Sequence, residues 1–198
     1  AVARAALRDR STNVRRRAAF TLASLGDTDS LDVFISWLNG ENPESARIGA
    51  YAIGFLGDVR GAGALLGALA RGFSPAIIGE SLQALGPWVL GPLLDLIEIQ
   101  PELAKRSSVT SLVQTFPIDA TIGTVGGWIE DVREDGPHVA RRGKLALESV
   151  AKREDVTRAL VALLEEDWKP VLDAKDADSR ALRKKLDAIE KKRTAKTT

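Results

Sequence analysis

The chain contains no cysteine and no methionine, a single histidine and a single tyrosine, and aromatic residues make up only 5% of it. Without cysteine there is no disulfide framework, no thiol nucleophile and no thiolate metal site. The lone histidine, His138, rules out a histidine-built metal cluster, and it reads as a surface residue at a helix start. Long hydrophobic runs are also missing. The longest uncharged stretch, Ser81 to Leu94, is broken by Pro87 and Pro92 and falls short of the roughly 18 apolar residues that a bilayer crossing requires. The first residues, AVARAALRDR, have no apolar signal core. A soluble, cytoplasmic protein with no membrane span is the expectation.

Among 198 residues, 44% are hydrophobic and 28% charged. That balance fits a packed core and excludes a wholly disordered chain. The net charge of +1 conceals segments of opposite sign. Residues 1–20 carry six Arg against one Asp, residues 21–103 three Arg against ten acids, and residues 104–198 nineteen basic residues against sixteen acids. A uniform nucleic-acid binder would carry its positive charge along one face. Nucleic acid is therefore a secondary expectation, confined to the basic ends.

The strongest signal is internal repetition. Val14–Asp27 reads VRRRAAFTLASLGD, and Ser45–Asp58, 31 residues on, reads SARIGAYAIGFLGD. Ala18 and Ala19 align with Gly49 and Ala50, Phe20 with Tyr51, and Leu22 with Ile53; both copies close on Leu-Gly-Asp. A third copy runs from Ala76 to Gly86, a degenerate fourth from Val109 to Phe116, and a fifth from Val139 to Ala151. Each precedes a second apolar segment, beginning at Leu31, Gly61, Val89, Thr121 and Val156. Both kinds show helical spacing, as in Val14, Ala18, Leu22 and Leu25. Leu-Gly-Asp couples a helix-ending glycine to a helix-starting aspartate, so Asp27 and Asp58 read as caps. Ten of the seventeen glycines lie between Gly49 and Gly91. Glycine costs a helix about 1 kcal/mol relative to alanine, so close helix approach is expected there.

On these residues the chain resembles HEAT-like repeat proteins, of the short variety named after phycocyanobilin lyases. Val14, Arg15, Ala18, Ala19, Leu22, Leu25, Gly26 and Asp27 match that motif; Thr21 and Ala23 depart from it, and Ala46 stands where arginine is usual. The resemblance covers about residues 1–166. It implies an all-α solenoid of about five helix pairs, set as a 1–170 repeat domain followed by a basic C-terminal helix and tail over 171–198. There, Asp176 or Asp178 would cap a helix carrying Leu182, Leu186 and Ile189, with a frayed tail from Arg193.

Sites for chemistry are scarce. No phosphate-binding glycine loop occurs, since GDVRGAGALLG follows no strand and precedes no Lys-Ser/Thr. The acids Glu130, Asp131, Glu134 and Asp135, and Glu165, Glu166 and Asp167, read as solvated turns. Trp37, Trp88, Trp128 and Trp168 read as packing residues. No catalytic residue, metal or cofactor is expected, and the chain reads as a non-enzyme. The resemblance further implies that the Val14-type helices line a concave face. By register that face presents Arg16, Phe20 and Ser24, then Arg47, Tyr51 and Phe55, then Ala76, Glu80 and Ala84, and in the fifth copy Arg141, Leu145 and Ser149. Arginine and aromatic residues favour binding hot spots. The expected function is a scaffold or adaptor for another protein, through Arg16, Phe20, Arg47, Tyr51, Phe55, Glu80, Arg141 and Leu145. The alternatives are a chromophore-lyase or related modifying-enzyme subunit and a nucleic-acid-binding repeat protein.

Overall fold

The computed structural model describes residues 2–151, 153–167 and 175–197. Those residues form α-helices and short 3₁₀ turns, with no strand among them. The helices are α1 (Val2–Ala6), α2 (Thr12–Ser24), α3 (Leu31–Leu38), α4 (Pro43–Leu56), α5 (Ala62–Ala70), α6 (Pro75–Leu85), α7 (Leu90–Ile99), α8 (Ser107–Gln114), α9 (Ile118–Glu130), α10 (Gly136–Ser149), α11 (Glu154–Asp167) and α12 (Ala177–Thr197). The five repeat copies fall on α2, α4, α6, α8 and α10, and the intervening segments on α3, α5, α7, α9 and α11. The fold is an all-α helical repeat.

The chain divides into two compact units, Ala1–Pro92 and Leu93–Thr198. α12 packs against α10 and belongs to the second unit.

In the first unit α2, α4 and α6 pack in series, with α3 against α4 and α5 against α6. The aligned small residues explain the layering. Ala18, Ala19, Gly49 and Ala50 are all buried, and a Cβ on Gly49 would stand 2.5 Å from the Phe34 carbonyl oxygen on α3. On the other side of α4, a Cβ on Gly54 would reach within 2.7 Å of Ser81 Cα on α6. Here glycine sets the helix spacing. Gly63, Gly79 and Gly91 have open space instead, so close approach accounts for only part of the glycine cluster. Gly57 closes α4 at φ 71°, a left-handed cap that residues with a side chain adopt at a cost. Ala46, where the motif has arginine, is buried and leaves no room for a cation.

Two details differ from the sequence reading. Helical spacing lines up Val14 and Leu25 with Ala18 and Leu22, but Leu25 is 74% exposed and Val14 is also exposed. They lie at the ends of the α2 stripe, beyond the helix layer. Asp58 caps the next turn by accepting from the Arg60 backbone N–H at 2.9 Å. Asp27 makes no such cap; its carboxylate accepts from the Arg4 guanidinium and, at 2.5 Å, from the Ser30 hydroxyl. It thus ties α1 to the α2–α3 turn.

In the second unit α12 begins at Asp176, whose carboxylate accepts from the Ser179 backbone N–H at 2.8 Å. Leu182 and Leu186 are buried and Ile189 is half-buried; Leu182 lies over Gly143 of α10. Buried Glu148 of α10 faces Lys185 at 3.9 Å and Lys105 at 3.8 Å. The expected frayed tail is instead continuous helix to Thr197. Truncation after Lys192 should leave the melting temperature unchanged. Truncation after Lys175 should lower it, because Leu182 and Leu186 leave the core; thermal unfolding of both truncations checks this.

Candidate functional site

The α2–α4–α6 layer places the sequence-assigned positions in three rows. Residues four apart on one helix are neighbours about 5–6 Å apart, so Arg16 leads into Phe20, and Arg47 into Tyr51 and then Phe55. Arg16, Arg47, Tyr51, Phe55 and Glu80 are exposed, and Phe20 is half-buried. Ser24, Ala76 and Ala84 are exposed as well. The Phe20 and Phe55 rings meet edge to face, with centroids 6.3 Å apart and planes at 86°. Register alone pairs Phe20 with Tyr51, whereas the ring contact is made one turn further along α4. Such a pair contributes about 0.5–1.5 kcal/mol beyond its buried area. Phe55 is nevertheless 61% exposed and Tyr51 37% exposed. These rings fasten α2 to α4 and keep apolar surface in water.

The arginines of the first unit divide into two groups. Arg4 pairs with Asp27 and Asp29, and Arg60 with Asp58. Arg15 donates to the Asp9 and Arg10 carbonyl oxygens and to Thr12. Among the described residues, the Arg16 side chain donates only to the neutral Asn13 side-chain oxygen, at 2.5 Å. Arg17 and Arg47 are exposed and make no ion pair among the described residues.

The fifth copy does not extend this pattern. Arg141 is exposed, but Leu145 and Ser149 are buried. They are core residues, because α10 is covered by other helices, with α12 packed along it, and its C-terminal half is buried all round. Leu145 is therefore withdrawn from the candidate surface, and Arg141 belongs to the second unit.

The second unit contains a polar cluster that sequence reasoning missed. Glu98 of α7 accepts from Arg142 of α10 at 2.6 Å and 3.0 Å and pairs with His138 at the start of α10. Arg141 stands 3.9 Å from the same carboxylate. Arg142 also donates to the Trp128 carbonyl oxygen and lies 4.6 Å from the Trp128 ring centre. The Trp128 indole N–H donates to Asp95 at 3.1 Å. Burial pushes the Glu98 carboxyl up, but the hydrogen bonds from Arg142 and His138 outweigh it and hold the group below its ordinary value of 4.5. A depressed carboxyl stabilises the fold above its unfolded value and loses that contribution as pH falls through the folded one. Glu98→Gln should therefore lower the melting temperature at neutral pH and flatten its decline below pH 4.5; melting curves across that range check it.

An open cleft of about 540 Å³ adjoins His138, lined by residues 130–135. Glu130, Asp131, Glu134 and Asp135 are exposed there, as a solvated turn requires. Trp128 is buried and Trp37 packs beside Phe34, whereas Trp88 is partly exposed with its indole N–H donating to the Leu85 carbonyl oxygen at 2.6 Å. Trp168 lies outside the described residues. No group of histidine, aspartate and glutamate suited to a metal ion occurs among the described residues. No single helix there is long and apolar enough to cross a membrane.

Stacked helix pairs of this kind define a helical-repeat protein. The family model for HEAT repeats matches residues 1–86, so that stretch is made of HEAT-like repeats. The match carries no finer subtype. HEAT repeats commonly serve as protein-interaction scaffolds. No curated protein and no solved structure matches the chain.

Proposed function

We propose that the chain is a non-catalytic scaffold that binds another protein on the α2–α4–α6 layer, through Arg16, Phe20, Arg47, Tyr51, Phe55 and Glu80. The observation that carries this reading is the exposure of Tyr51 and Phe55 on a layer whose small residues are already fully packed. Burying one such ring contributes roughly 1.5–3 kcal/mol, and the stack leaves more than half of the surface of Phe55 and over a third of that of Tyr51 still exposed.

For a bound partner protein, Tyr51→Ala should weaken affinity by at least about 1 kcal/mol. Because Tyr51 is more than half buried, the variant's own stability should fall by about 1–2 kcal/mol while the chain stays folded. Titration calorimetry and denaturant unfolding of the full chain read the two quantities. If Tyr51→Ala unfolds the protein while residual binding persists, the ring is structural and the layer is not the site.

A further inference from the structure

We infer that the partner taken by this layer is an acidic segment with apolar anchors, its carboxylates set about one helical turn from the anchors, over Arg16, Arg17 and Arg47. The inference rests on the reading of the layer as the binding surface and specifies the chemistry that fits it.

Its basis is that the cations share a helix face with the rings. Arg16 and Arg17 precede Phe20 by four and three positions, and Arg47 precedes Tyr51 by four, which places each arginine on the same helix face as the ring one turn after it. The edge-to-face contact of Phe20 with Phe55 brings the α2 and α4 faces together, so both sets of cations border one apolar patch. A partner that buries the rings also covers these cations and strips part of their water. A cation desolvated without a counter-charge is costly, which disfavours a purely apolar partner. A basic partner is repelled. A carboxylate restores the lost hydrogen bonds and can accept from a guanidinium in bidentate fashion.

The cations are available for this. Arg4 and Arg60 are neutralised by aspartates within the fold, whereas Arg17 and Arg47 have no ion-pair partner among the described residues. Glu44, one turn before Arg47, makes no ion pair with it. The layer changes sign at α6, where exposed Glu80 lies in register with Phe20 and Tyr51. A carboxylate is therefore favoured over α2 and α4 and disfavoured over α6, which fixes the orientation of the bound segment. The same change of sign makes the layer a poor track for nucleic acid, whose charge is uniformly negative.

The test is a displayed library of 16-residue amphipathic peptides with randomised polar positions, selected on the full-length chain at low salt. The best binder is then titrated against the wild type, Arg47→Gln and Tyr51→Ala. The expected result is enrichment of Asp or Glu three or four positions from an apolar anchor. Arg47→Gln should weaken binding about ten-fold with an unchanged melting temperature, and Arg47→Glu should recover affinity when the facing acid of the peptide is changed to Lys. Binders that lose affinity on Tyr51→Ala, ignore Arg47→Gln and carry no acidic bias would overturn the acidic partner while leaving the layer as the site. Binders indifferent to every substitution, or no enrichment at all, would count against both. A wild-type chain that prefers basic peptides or single-stranded RNA would overturn the assignment of charge.

Discussion

Replacing Leu22 with alanine should destabilise the first unit by about 2–5 kcal/mol, the range for a buried leucine that leaves a cavity. Leu22 is 5% exposed on the side of α2 that packs against its neighbours, with Ala18, Ala19 and Ala23 around it. The small residues beside it cannot swell into the space, and the close helix spacing at Gly49 and Gly54 resists collapse. Leu25, three positions on, is the internal control. Leu25→Ala removes the same atoms from an exposed side chain and should change stability by less than about 0.5 kcal/mol. Urea unfolding of the two variants separates them, because the motif alone gives both leucines the same role.

Gly49→Ala should also destabilise, by about 2–3 kcal/mol, although alanine is the better helix former by up to about 1 kcal/mol. The new Cβ would stand 2.5 Å from the Phe34 carbonyl oxygen and 2.9 Å from the Leu38 backbone nitrogen. Both are backbone atoms of α3, so relief requires α3 and α4 to part. Gly79, in the middle of α6, has nothing within 4 Å of its would-be Cβ. Gly79→Ala should therefore stabilise, by up to about 1 kcal/mol. Opposite signs for two glycine-to-alanine changes in equivalent helices would identify close approach as the cause. Equal signs would mean that helix propensity dominates.

What the sequence disclosed follows from how local each signal is. Helix pairing was legible because the small-residue, aromatic and aliphatic register recurs at a near-constant interval, and Gly26, Gly57 and Gly86 mark the helix ends at positive φ. The row of Arg16, Arg47, Tyr51, Phe55 and Glu80, all exposed, and half-buried Phe20 was legible for the same reason, since a position in one repeat stands beside its equivalent in the next. The rule failed at Leu145. It assumes one open face per helix, and α12, from outside the repeat, covers α10. The cluster of Glu98, Trp128, His138 and Arg142 was not legible at all. Its members come from three helices, with sequence separations of up to 44 residues, and no local pattern marks a contact made only by tertiary packing. His138 read as a surface residue because nothing near it in sequence announces Glu98.

The single tyrosine allows the central claim to be read at one atom. Fluorotyrosine incorporated into the full-length chain gives one ¹⁹F resonance, that of Tyr51. The account predicts that a soluble paramagnet broadens this resonance in the free protein, and that a saturating acidic amphipathic peptide selected on the wild type shifts it and protects it from broadening. A resonance already protected in the free protein would contradict the account, because Tyr51 would then be a packing residue. So would a resonance still fully broadened when the peptide is bound.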